Sequence, residues 1–354
     1  YERPYGDPVC SPTGAALLTG LYGTRTGIQT GVSVFDPVSN PAGPYSAPAD
    51  APWLPRLLNT AGVRSFLVGK WHLTTVAEPN YLLAPIEFGF SRWRGRLGNV
   101  LDEQGESLYA WPKVVASDAG ASESTCTSYV TVDDVLEAWL ALDAAAGKRS
   151  LTWLAFAAAH APWNEAPPAG LFTPGGMPTQ ADLEEHALEA ADTLLGQLMD
   201  FYARRHPVDA ARTLWLVMGD NGTPPQAIEQ LPLHQHKATT YEGGVHVPLI
   251  AYGAGVAHPG RTTANLVHAV DVHATLLELF GAPPAAPTDG RSFAAVLRDP
   301  DAPPARTAVF VRQALPNGLG PKERIDQAAI DAEWSLIERQ GDFPFPPLEL
   351  FHLT

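Results

Sequence analysis

The chain has little cysteine, little positive charge and no long apolar run. Only Cys10 and Cys126 occur in 354 residues, which excludes a disulfide scaffold and a cysteine-rich zinc module. Lysine and arginine total 23 against 38 aspartate and glutamate, a formal net charge of -15, so the surface as a whole repels a phosphate backbone and nucleic acid is excluded as a partner. An anionic small substrate would need a locally positive pocket. No apolar stretch approaches the ~20 residues of a membrane span, and no signal peptide is visible at Tyr1. The compartment stays open between periplasmic, secreted and cytoplasmic. What the chain does have is 45% hydrophobic residues with 17% charged, enough to bury a sizeable core, which excludes disorder.

The stretch Cys10-Ser11-Pro12-Thr13-Gly14-Ala15-Ala16-Leu17-Leu18-Thr19-Gly20 organises the rest. Proline suits the first turn of a helix, Ala15 to Leu18 are good helix formers and Gly20 suits a C-cap, so one short helix is predicted with Cys10 at its mouth. Free backbone N–H groups and the positive dipole end lower a thiol's pKa there and can hold sulfate-like or phosphate-like groups. Taken alone, the stretch also fits a buried, inert cysteine beside a helix.

Further along, Ser33 to Pro55 is rich in Pro, Ser and Gly and reads as a long surface loop near the site entrance. Arg56 to Thr60 completes a short helix, and Val63 to Val68 reads as a strand leading into Gly69-Lys70-Trp71-His72-Leu73. A lysine and a histidine two apart after a buried strand can project into one crevice, where a cation and a proton donor serve against a sulfuryl or phosphoryl group. Residues 75–130 read as variable loops with no assigned chemistry. Asp133 and Asp134 read as dipole partners in the first turn of a helix whose Val135, Leu136, Trp139 and Leu140 are spaced to pack.

Leu151 to Ala157 is a nearly continuous apolar run, as expected of a strand buried on both faces, and it ends near His160-Ala161-Pro162-Trp163. Ala181 to Arg205 reads as a long helix covering the sheet through Leu188, Ala191, Leu195, Leu198 and Tyr202. Thr213 to Met218 is the next buried strand and runs into Gly219-Asp220-Asn221-Gly222. A carboxylate and an amide at a strand's C-terminal end, flanked by glycines, fit calcium or magnesium better than zinc; they also fit an ordinary Asp-Asn turn.

Together these stretches resemble the sulfatase family of the alkaline phosphatase superfamily. The Cys10 stretch is similar to the signature Cys-x-Pro-Ser-Arg followed by Leu-Thr-Gly, with Thr13 for serine and Gly14 for arginine. Gly69 to Leu73 matches Gly-Lys-Trp-His-Leu, His160-Ala161-Pro162 matches His-x-Pro, and Asp220-Asn221-Gly222 matches the metal motif. Lys237 to Pro248 is close to Lys-x-x-x-x-Glu-Gly-Gly-x-Arg-Val-Pro, with His246 for the arginine. Val270 to Gly281, Asp289 to Ser292 and Glu349-Leu350-Phe351 continue the likeness in the same order.

The resemblance implies a hydrolase of sulfate esters, with phosphate or phosphonate esters as the near alternative and a catalytically impaired binding protein as the other. It implies that Cys10 is oxidised to formylglycine, whose hydrated form is the nucleophile, and that Asp220, Asn221 and the group at position 10 hold Ca2+, or alternatively Mg2+ or Mn2+. Lys70 and Lys237 would neutralise charge, and His72 and His160 would bind substrate and protonate the leaving group. His160 equally fits a histidine packed on Trp163 in a turn. Family members place a strand ending in paired aspartates upstream of the cysteine, so the chain is expected to begin within a domain. Strands alternating with helices predict a doubly wound, mainly parallel α/β core over 1–281 and a smaller antiparallel subdomain over 282–354.

Overall fold

The computed structural model describes residues 1–35, 45–100, 106–174, 178–228, 231–232, 234–299 and 301–353; the part of the predicted loop at 36–44 lies outside them. In chain order the elements begin β1 (Arg3–Tyr5), α1 (Cys10–Thr19), α2 (Gly23–Thr26), α3 (Leu54–Thr60), β2 (Arg64–Lys70), α4 (Ala84–Glu87) and β3 (Arg92–Arg96). They continue with β4 (Trp111–Ser117), β5 (Gly120–Cys126), α5 (Val130–Ala145), β6 (Ser150–Ala155), α6 (Gln180–Arg205), α7 (Pro207–Ala210) and β7 (Leu214–Met218). The last are α8 (Glu242–Val245), β8 (Leu249–Gly253), β9 (Leu266–His268), α9 (Ala269–Leu279), α10 (Ala294–Arg298), β10 (Ala308–Leu315), β11 (Arg324–Asp331), β12 (Trp334–Gln340) and β13 (Leu348–His352). They fall into two compact units, Tyr1–Leu57 with Leu73–Glu78 and Thr213–Thr354, and Leu58–His72 with Pro79–Arg212.

In the first unit β1 pairs β9 in parallel and β7 pairs β8 antiparallel. The predicted C-terminal antiparallel sheet is present as β10-β11-β12-β13. Its inward face carries Val309, Val311, Ala328, Ile330 and Ile337, which join Tyr5, Tyr241, Val245 and Leu266 in one core cluster. Truncating Ile330 or Ile337, both fully buried, to alanine costs about 2–5 kcal/mol. Helix α1 packs on α9 through Ala16, Ala269 and Val270. The predicted surface loop is buried where it ends: Trp53 and Leu54 are fully enclosed, because an indole and a leucine at a helix entry give more by burial than by solvation.

In the second unit β3, β2 and β6 run parallel, and β4 and β5 extend the sheet as an antiparallel hairpin. Residues 75–130, expected as loops, therefore carry three strands of this sheet; Arg92 to Arg96 and Trp111 to Ser117 hide in sequence because charged residues interrupt their apolar positions. Helix α5 packs on β2 and β6, and α6 packs on α5 with Trp139 edge-on to Phe201. Leu136 and Leu140, expected to pack, face solvent. On α6 Leu198 and Tyr202 are buried as predicted, while further toward the N-terminus the buried positions are Ala187, Ala190 and Leu194, one before the predicted Leu188, Ala191 and Leu195, and Leu188 is exposed.

The two apolar strands expected to be buried on both faces are half-buried. β6 has β2 as its hydrogen-bonded neighbour and β7 has β8, and among the described residues no strand pairs the other edge of either. Continuous apolar runs need cover on both faces. Val217, Ile250 and Tyr252 accordingly remain exposed.

Candidate active site

Cys10 is the first residue of α1, preceded by the extended Val9, which supplies no side-chain cap. Gly20 closes the helix in the left-handed region at φ 67°, its N–H donating to the Ala16 carbonyl, as the sequence predicts. Ser11 Oγ accepts the Val32 N–H at 3.0 Å and so holds the following segment against the helix start. Thr13, fully buried, does more: its Oγ1 accepts the Asp7 N–H at 2.8 Å and donates to the Asp220 carbonyl at 2.7 Å. A Cβ at Gly14 would meet only Leu73 Cδ2, at 3.9 Å, so the position has room for a side chain.

The Asp220 turn is built by close backbone approach. A Cβ on Gly6 would stand 2.3 Å from the Asp220 carbonyl oxygen, and one on Gly222 would stand 1.8 Å from that of Gly243, so both must be glycine. Gly222 N–H donates to the Gly244 carbonyl at 2.9 Å. Lys237 N–H donates to Thr223 at 2.9 Å, and Ala238 N–H donates to Pro8 at 2.8 Å with Ala238 held at φ 70°. Cys10, Asp220, Asn221 and Lys237 thus lie on three segments stitched to one another around the start of α1.

Oxygen donors here suit a hard cation in kind. Asn221 turns its Nδ2 to the Gly222 carbonyl at 3.0 Å and leaves a buried Oδ1 without a hydrogen-bond donor, and Asp220 is exposed beside it. In number they fall short: among the described residues no three His, Cys, Asp or Glu are grouped to hold a metal ion. Asp7, buried three residues before Cys10, was not legible as special. Burial pushes its carboxyl up to about 7, opposed by the Arg312 N–H that it accepts, and its Oδ2 has no partner among the described residues.

The second unit carries Lys70, His72 and His160. Gly69 pairs with Ala155 in the β2–β6 register, so Lys70 and the segment leading to His160 leave the sheet at one edge. Crowding demands glycine there, since a Cβ on Gly69 would stand 1.9 Å from the Ala155 carbonyl and one on Gly95 1.9 Å from that of Gly69. Lys70 Nζ donates to Asn99 Oδ1 at 3.1 Å, a partner that no motif marks. His72 is buried in the left-handed region at φ 57°, its N–H on the Leu97 carbonyl at 2.6 Å. His160 Nδ1–H donates to the Ala161 carbonyl at 2.8 Å.

The start of that loop is fixed by Asp134, which accepts the Ala157 N–H at 3.2 Å and both Arg96 Nη groups at 3.2 Å. Burial raises the Asp134 carboxyl and Arg96 opposes the rise. Asp133 pairs with Lys113 at 2.7 Å. The two aspartates are therefore ion-pair partners of neighbouring strands, beyond the dipole role that helix position alone suggests.

The Sulfatase family model matches residues 3–282. Among curated relatives, N-acetylgalactosamine-6-sulfatase of Homo sapiens is 27% identical over 300 residues, covering 78% of this chain and 54% of the relative. Arylsulfatase G of Mus musculus is 26% identical over 334 residues, covering 81% and 59%. The chain thus spans a little over half the length of these relatives. Among solved structures, Ps i-CgsB superposes with a TM-score of 0.79 at 22% identity, covering 99% of this chain and 77% of that one, a likeness that carries the fold. BT4656, solved with its substrate D-glucosamine-2-N,6-O-disulfate, gives 0.69 at 16% identity, covering 99% and 84%. Matched by its family model over most of its length, with the Cys10, Asp220 and Lys237 segments joined around one helix start, the chain belongs to the sulfatase family.

Proposed function

We propose that the chain hydrolyses a sulfate ester at the segments joined around the start of α1. The observation that carries this is the pair of contacts made by Thr13 and Ala238, which bring the Cys10 turn, the Asp220 turn and the Lys237 turn together. Once oxidised to formylglycine and hydrated, residue 10 supplies an oxygen nucleophile. Attack forms an O–S bond and breaks the S–O bond to the leaving group, which takes a proton as it departs. Negative charge on the sulfuryl oxygens is met by the Lys237 ammonium and by the N–H groups opening α1, and likeness to the sulfatases gives Lys70 the same charge-neutralising role. By likeness to the sulfatases, His72 and His160 are the residues that bind the substrate and protonate the leaving oxygen.

A hard divalent cation, Ca2+ with Mg2+ or Mn2+ as alternatives, would be held by Asp220, Asn221 and the group at position 10, and when bound it supplies positive charge to the sulfuryl oxygens. The substrate of BT4656 and the name of the N-acetylgalactosamine-6-sulfatase relative support a sulfated sugar as the class. Phosphate or phosphonate esters are the near alternative for the same pocket. Gly14 favours a second reading, a protein that holds sulfate esters with little turnover, because it puts no cation beside residue 10. The test is hydrolysis of a chromogenic aryl sulfate and of glucosamine 6-sulfate against the matching phosphates. Sulfate turnover lost in Cys10→Ala and in Lys237→Ala supports hydrolysis; tight sulfate-ester binding without turnover supports the second reading.

A further inference from the structure

The inward face of the C-terminal sheet is apolar along Val309, Val311, Ala328, Ile330 and Ile337, and then changes character at one row. There Asp326 and Arg339 stand opposite each other in the β11–β12 register, both buried, with Nε 3.2 Å from Oδ1. A buried ion pair is seldom the most stabilising choice; hydrophobic residues of similar volume often serve stability as well or better. What this pair does is hold a specific turn. Asp326 accepts Thr240 N–H at 3.2 Å and Thr240 Oγ1–H at 2.7 Å. Arg339 lies over the Tyr241 ring at 4.8 Å, donates to the Pro346 carbonyl at 2.9 Å and pairs with Glu349, which in turn accepts the Tyr241 hydroxyl at 2.7 Å.

Thr240 and Tyr241 are thus gripped from three sides, and they follow directly on the turn that bears Lys237. That turn is tight: Thr239 N–H and Oγ1–H both reach the His236 carbonyl, at 3.1 and 2.7 Å, and Ala238 keeps a left-handed backbone that alanine adopts only when its surroundings hold it there. On the far side Lys237 and Ala238 donate to Thr223 and Pro8, so a turn released at Thr240 would also release its bonds to the Cys10 segment.

We propose that Asp326, Arg339 and Glu349 form a clamp that positions Lys237, making Arg339 a positioning residue for the anion site. The inference rests on the reading of Lys237 as an anion contact, and the experiment separates the two. In the whole 354-residue chain, Thr240→Val removes the Oγ1–H donor at constant shape and Thr240→Ser restores it, while Arg339→Met removes the charge. Tyr241→Phe is the mild variant should Arg339→Met fail to fold. Two quantities are measured: amide exchange of the peptide covering 236–241 by mass spectrometry, and affinity for inorganic sulfate by calorimetry.

The clamp predicts that Thr240→Val and Tyr241→Phe speed exchange at 236–241 and weaken sulfate binding about tenfold, with exchange in β10 to β13 unchanged, and that Thr240→Ser recovers both. In active preparations the change falls on KM more than on kcat. Folded Thr240→Val and Tyr241→Phe variants with wild-type exchange and sulfate affinity overturn the clamp. Unchanged sulfate affinity in Lys237→Met overturns the anion reading on which it rests, independently of exchange at 236–241.

Discussion

Thr13 Oγ1 donates to the Asp220 carbonyl at 2.7 Å while accepting the Asp7 N–H at 2.8 Å, so one hydroxyl joins the first turn of α1 to the end of β7. Serine keeps that hydroxyl, so Thr13→Ser costs about 1 kcal/mol for the lost methyl group. Thr13→Val keeps the shape and leaves a buried N–H and a carbonyl unpaired, costing about 1–3 kcal/mol and releasing the Asp220 turn. Denaturant titration of the two variants checks the difference, and sulfate affinity should fall in valine alone.

Stability should depend on pH through three buried groups. Burial lowers His268 to about 3 and His273 to about 4, so the folded chain keeps both neutral while the unfolded chain protonates them below 6.5. Their contribution is complete above 6.5 and is lost as pH falls toward 4. Asp7 opposes it: raised to about 7 from 3.8, it stays protonated in the folded chain where the unfolded chain ionises, so its contribution is lost as pH rises through that window. These three groups together contribute about 1.4 kcal/mol of stability gained per pH unit between about 4 and 6.5, from which the raised carboxyls of Asp134, Glu242 and Asp326 subtract. Asp7→Asn removes one opposing group and should raise the slope by about 1.4 kcal/mol per pH unit, read from urea midpoints across that range.

Glycine in the middle of α1 weakens the helix, and the space beside Gly14 admits a side chain. Gly14→Ala should therefore stabilise the chain by about 0.5–1 kcal/mol. Gly14→Arg should fold equally well and should raise the fraction of Cys10 converted to formylglycine, which is expected to be small with glycine present. Thermal melts and mass spectrometry of the Cys10 peptide report the two effects separately.

Cation binding by the 354-residue chain should be weak. Calcium takes ~6–8 oxygens, and the described residues around α1 offer Asp220 and Asn221 with the group at position 10. Calorimetry with Ca2+ should give a Kd no tighter than about 10⁻³ M, and Asp220→Ala should abolish what binding there is.

Much of this was legible in residues and spacing. The helix from Cys10 to Gly20 announced itself through proline, alanine and glycine at the positions where each is physically favoured, and Gly222 marked a turn where backbones crowd. What escaped was whatever depends on partners distant in sequence. The strands at 92–96 and 111–117 are held by neighbours and carry charges paired with helix α5, Arg96 with Asp134 and Lys113 with Asp133, so no local alternation revealed them. The half-burial of β6 and β7 escaped for the same reason, since a run of apolar residues states a preference for cover without stating what provides it. Asn99 beside Lys70, and Asp326 beside Thr240, are ordinary polar residues until the fold delivers them.

The central claim is that residue 10, once oxidised, attacks the sulfate ester. Preparations of the chain with different fractions of formylglycine at position 10, obtained by co-expression with and without a formylglycine-generating enzyme and by Gly14→Arg, can be assayed on one aryl sulfate after the aldehyde fraction is measured by mass spectrometry. The account predicts turnover proportional to that fraction and zero at its thiol limit. Equal turnover by wholly thiol protein, or by Cys10→Ala, would contradict it.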